Sequence, residues 1–113
     1  MLTLEKLRDY GADVDDGLAR CMNMEAFYLD LVKSTLTDKK LEDLEIALSA
    51  KDLDAAFEAA HAMKGMYANL SITPILKPVL EMTELLRART DTDYSDLLNE
   101  AKKQFDLLSE LAK

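Results

Sequence analysis

Residues 52–70 read DLDAAFEAAHAMKGMYANL, and this run decides the fold. Leu53, Ala56, Phe57, Ala60, Met63, Tyr67 and Leu70 recur three and four residues apart. At about 100° of rotation per residue, that spacing lines them along one side of an α-helix. Asp52 precedes the stripe and can accept from the free amides of the first turn. A helix with so long an apolar stripe needs other helices to cover it.

The flanking sequence supplies them. Downstream, Thr73 can cap a helix with Pro74 at its first position, where a missing amide hydrogen costs little. Leu76, Val79, Leu80, Thr83 and Leu86 then face inward, and Pro78 makes that helix either start late or bend. Thr90-Asp91-Thr92-Asp93 breaks the pattern before a last amphipathic helix carrying Tyr94, Leu97, Leu98, Ala101, Phe105, Leu108 and Leu111. Upstream, Phe27, Tyr28, Leu31, Val32, Thr35 and Leu36 repeat at helical spacing, Thr37-Asp38 interrupts, and Leu41, Leu44 and Leu48 resume. Two antiparallel helices or one bent helix would both satisfy that pattern. Leu4 and Leu7 mark a short opening helix that Gly11 can end in a left-handed cap, and Asp13 or Asn23 can cap further helical segments. With three glycines, two prolines and no alternating Val/Ile/Thr run, no strand is expected. The expected fold is all-α: an up-and-down bundle of four longer helices with short additional N-terminal helices, one domain over residues 1–113.

Composition narrows the function. Fourteen basic against 22 acidic residues leave a net charge of −8, which repels a phosphate backbone, so nucleic acid is excluded as a partner. Hydrophobic residues at 49% and charged residues at 32% suit a folded chain with no membrane span. The one cysteine, Cys21, can form no internal disulfide, and Met1-Leu2-Thr3-Leu4-Glu5-Lys6 lacks the apolar run of a secretory signal. A cytoplasmic setting is expected. Met1, Met22, Met24, Met63, Met66 and Met82 are scattered, which suits gap filling better than a methionine-lined groove.

His61 is the only histidine. It lies about 100° round from Ala60, on the shoulder between core and solvent, with Lys64 and Gly65 on the next turn beside it. A neutral imidazole keeps one ring nitrogen free to attack phosphorus, and a lysine ammonium is a mobile charge able to stabilise a dianionic phosphoryl group. Gly65 weakens a helix by about 1 kcal/mol relative to alanine, so its presence mid-helix asks for a reason such as the close approach of another surface. Ala68, one turn further on, extends that clearing. Asn69 points nearly opposite the stripe and reads as a solvated residue.

Ala60, His61, Met63, Lys64, Gly65, Ala68, Asn69 and Leu70 resemble the phosphorylation motif of histidine-containing phosphotransfer domains, the helical modules that relay phosphoryl groups in two-component signalling. The order of helices along nearly all of the chain is similar as well. The resemblance implies that His61 is the phosphorylated residue, Lys64 the stabilising cation and Gly65 the opening for a receiver domain. The implied partners are a response-regulator receiver and a sensor or hybrid histidine kinase, met by a monomer. It implies no cofactor or metal on this chain; magnesium belongs in the receiver. Three positions depart from the family pattern. Met66 and Tyr67 replace small residues, and Ser71 replaces a glycine. Tyr67 falls in the stripe and concerns packing, whereas Met66 lies on the opposite shoulder, where exposure would let it join Ala68 in partner choice.

Other chemistries fit less well. Glu58-x-x-His61 has the spacing of a di-iron bundle, but that site needs a second such motif and there is no second histidine. No nucleophile elbow surrounds any serine, and Gly11, Gly17 and Gly65 are too dispersed to cradle ATP phosphates. Ala62 stands where a sensor kinase's own dimerisation helix carries an acidic residue, so autonomous kinase activity is not expected. An unphosphorylated adaptor bundle that binds receiver-like or helical partners is the alternative of a different class.

Overall fold

The computed structural model describes residues 1–113 as seven α-helices without strands: α1 (Leu4–Tyr10), α2 (Val14–Arg20), α3 (Glu25–Thr35), α4 (Lys40–Ser49), α5 (Leu53–Leu70), α6 (Thr73–Arg87) and α7 (Ser95–Leu111). The ends follow local chemistry. Thr3, Asp13 and Asp52 accept from the amides of Lys6, Asp16 and Ala55, and Gly11 ends α1 at φ 114°. The long α5 is the hub. Helices α4 and α6 lie along it, α2 and α3 rest against it, and α7 packs on α6.

The central stripe is buried as the spacing requires. Ala56, Ala60, Met63, Tyr67 and Leu70 meet Tyr28, Val32, Leu44, Ile75, Val79, Met82, Leu86, Ala101 and Leu108 in one core. Leu53 and Phe57, at the N-terminal end of the stripe, are only half-buried. Helices α3 and α4 are separated at Leu36–Lys39, where the Lys40 amide donates to Asp38 Oδ1 at 2.8 Å. The region is therefore two helices rather than one bent one, each packed on α5.

Several local expectations are corrected. Phe27 is 45% exposed, and the inward residues of α3 are Tyr28, Val32 and Thr35. Asn23 caps nothing; it adopts φ 57° in the turn before α3, whose N-cap is Met24. Thr73 is the first residue of α6 rather than its cap, which moves Pro74 one position inward. The helix neither starts after Pro78 nor ends there. Pro78 is buried within it, and the inward face runs through Ile75, Val79, Met82, Thr83 and Leu86, leaving Leu80 outside and Leu76 half-covered.

The C-terminal end of α5 is fastened by the N-terminal segment. Ser71 ends the helix in the left-handed region at φ 55°, with its amide bonded to the Ala68 carbonyl and that of Ile72 to Tyr67. That conformation costs a non-glycine residue about 1 kcal/mol. The Ser71 hydroxyl donates to the Asp16 carboxylate, and the Asp13 amide donates to the Ser71 carbonyl at 2.9 Å. Beside them the Tyr28 hydroxyl donates to the Leu70 carbonyl at 2.9 Å, and Gly17 lies so close that a Cβ would sit 2.6 Å from the tyrosine ring.

Candidate functional site

Burying Ala60 and Met63 turns the next shoulder of α5 outward, and His61 is exposed there. Helical side chains lean toward the helix N-terminus, each covering the turn before its own Cα. The imidazole therefore leans onto Phe57 rather than toward Gly65. Their rings are stacked, with centroids 5.4 Å apart and planes 20° apart. Lys64, three residues on, has its side chain 33% exposed and its ammonium 3.9 Å from Glu84 Oε1 on α6.

The other side of the ring is open. A Cβ built on Gly65 meets nothing within 4 Å, so no neighbour in the fold accounts for this glycine. Ala68 follows on the same face, half-buried. Met66 does not share it. Six residues beyond Ala60, it points about 120° the other way, half-buried where Leu31 and Thr35 of α3 approach. Asn69 is exposed.

Helix α6 and the turn after it add two cations. The Arg87 and Arg89 guanidinium carbons lie 5.2 and 4.9 Å from the Phe57 ring centroid. Arg87 pairs with Glu84 at 3.3 Å, and Arg89 with Asp54 at 2.6 Å. Lys64 stands one turn from His61, while Arg87 and Arg89 lie against the Phe57 ring that stacks on it, and the carboxylates of Glu84 and Asp54 pair with these cations. Phe57, Glu84 and the two arginines were missed as site residues in the sequence. Phe57 could have been found, since residues four apart on a helix are neighbours. The arginines could not, because only the α5–α6 packing delivers them.

The surface hollows at the α4–α5 and α6–α7 turns, and between α6 and α7, do not include His61. Nowhere do three or more His, Cys, Asp or Glu side chains gather as a metal-ion site would require. No helix is long and apolar enough to cross a membrane.

The sequence model of the Hpt domain matches residues 28–111. This chain belongs to the Hpt domain family. No curated protein and no solved structure matches it. Hpt domains are helical phosphocarrier modules of phosphorelays rather than autonomous kinases, and they interact with receiver domains and histidine kinases. The matched segment runs from Tyr28 to Leu111, so it takes in His61, Lys64, Gly65 and both arginines, while α1 and α2 lie outside it.

Proposed function

We propose that this Hpt domain, a single domain over residues 1–113, carries a phosphoryl group on His61 and exchanges it with an aspartate of a response-regulator receiver. The observation that carries the reading is the exposed imidazole with a lysine on one side and an unfilled glycine on the other. A ring nitrogen of neutral His61 attacks the phosphorus of the receiver's aspartyl phosphate in line. The N–P bond forms as the P–O bond to the aspartate breaks, and the carboxylate leaves. Lys64 stabilises the charge on the equatorial oxygens, and Gly65 with Ala68 leaves room for the receiver to approach. Met66 faces away and is dropped from the docking surface. Magnesium resides in the receiver, and this chain supplies no metal or nucleotide site of its own.

In this reading α4 to α7 serve as the up-and-down four-helix frame, and the chain acts as a cytoplasmic monomer on receivers and on a sensor or hybrid kinase. The site lies on an open face outside the larger surface hollows, which suits a protein partner better than a small-molecule substrate. Incubation with a phosphorylated receiver should label the chain in an acid-labile manner. His61→Gln should abolish the label while leaving helicity and the melting transition unchanged. A label that persists in this variant rejects the site, and a wild-type chain that binds receivers but takes no label is the adaptor.

A further inference from the structure

We infer that Phe57 is a positioning residue for the reacting imidazole, held in place by Arg89, so that the Phe57 ring fixes the direction in which His61 presents its nitrogen. This rests on the phosphocarrier reading and extends it to a residue four positions before the histidine.

An exposed histidine on a helix is ordinarily free to change rotamer, and in-line attack on phosphorus requires its nitrogen to point along one line. His61 is exposed and makes no hydrogen bond through its ring. The contact that orients it is the offset stack on Phe57, 5.4 Å between centroids. Phe57 is half-buried, and two guanidiniums lie over its ring. Of these, Arg89 is the better fixed. Its Nε donates to Asp54 Oδ1 at 2.6 Å and one terminal nitrogen donates to the Leu86 carbonyl at 2.8 Å. Asp54 is three residues before Phe57 on α5, so Arg89 ties the turn after α6 to the face on which the ring lies. The chain of contacts runs from Asp54 through Arg89 and Phe57 to His61, with Arg89 tied to the Leu86 carbonyl and Phe57 packed against the core.

A small donor tests this without a partner. Phosphoramidate transfers its phosphoryl group as the imidazole N–P bond forms and the donor's own P–N bond breaks, releasing ammonia. Phe57→Leu keeps an apolar side chain against the core but removes the stack. Loading of His61 should slow roughly threefold or more, in line with the worth of an aromatic pair. The upfield ring-current shift of the His61 ring protons in the nuclear magnetic resonance spectrum should vanish with it. Phe57→Trp should restore both. Arg89→Gln changes an exposed turn residue that the core does not need, and should reduce both readouts partway.

Wild-type loading by Phe57→Leu after loss of the shift overturns the inference and leaves the phosphocarrier reading intact. Full retention of the shift in Arg89→Gln overturns the role given to Arg89. Labelling of His61→Gln by phosphoramidate at the wild-type rate overturns the underlying reading instead.

Discussion

Replacing each of two helical glycines with alanine should move stability in opposite directions. At Gly65 the added methyl meets nothing within 4 Å, so the only local change is the gain in helix propensity, about 1 kcal/mol in favour of the variant. At Gly17 the same gain is available but the space is not. The new Cβ would lie 2.6 and 2.8 Å from the ring and hydroxyl of Tyr28 and 2.7 Å from the Leu70 carbonyl oxygen. Tyr28 is fully buried and the carbonyl belongs to backbone, so neither yields cheaply. Overpacking of this kind costs about 1–3 kcal/mol. Displacing Tyr28 also forfeits its hydrogen bond to Leu70, about 1 kcal/mol more. Net of the propensity gain, Gly17→Ala should destabilise by about 2 kcal/mol. Urea unfolding followed by far-UV circular dichroism reads both variants, and the melting temperature should fall roughly 8 °C for Gly17→Ala and rise roughly 4 °C for Gly65→Ala. On the phosphocarrier reading the stabilised Gly65→Ala should accept phosphate more slowly from a receiver, yet load from phosphoramidate at the wild-type rate, because only the protein donor needs the opening. A destabilised Gly65→Ala, or a Gly17→Ala that melts with the wild type, would refute the packing argument. Unchanged transfer from the receiver in Gly65→Ala would remove that residue from the docking surface.

Lys64→Ala should slow transfer with little change in melting, as expected of a partly exposed ammonium whose only ion pair is a long one to Glu84; an unchanged rate reduces Lys64 to a surface charge. Glu84→Gln should accelerate loading of His61, since Glu84 engages both Lys64 and Arg87. Both pairs are exposed, so the gain should not exceed about fivefold, and a slower rate would show that Glu84 orients the cations rather than competes for them. Acid should expose the role of Ser71. The hydrogen bond from its hydroxyl, together with that from Arg20, holds the Asp16 carboxyl below the usual carboxylate range. A depressed folded-state value contributes stability above the unfolded value, near pH 4, and loses it as the pH falls through the lower one. Ser71→Ala should therefore lose less stability than the wild type between neutral pH and roughly pH 3, and equal losses in the two proteins would rule the contact out.

The sequence was legible where one helix decides the answer. The spacing from Ala56 to Leu70 yields the buried face of α5, and the same periodicity places His61 on its shoulder, because both depend only on rotation per residue. Caps at Asp13 and Asp52 were readable, since each acts within four residues, whereas the cap at Thr3 emerged only from the structure. Where two elements compete for one side chain, spacing was not enough. Phe27 and Tyr28 are adjacent apolar aromatics, yet only Tyr28 reaches the Leu70 carbonyl, and Phe27 is left in solvent. Pro78 read as a late start or a bend because interior proline is costly in an isolated helix, and α6 starts at Thr73 and runs on past the buried proline.

Residue order alone therefore determined a helical chain whose single imidazole faces outward, with a lysine and a glycine one turn beyond it. Tertiary packing decided what surrounds that ring. It brought Arg87 and Arg89 over Phe57, set Glu84 beside Lys64, and used α2 with Tyr28 to fasten the end of α5. The physical reason is range: helical periodicity and caps act over a few residues, while these contacts join residues up to 55 positions apart and exist only once α2, α3 and α6 have closed on α5.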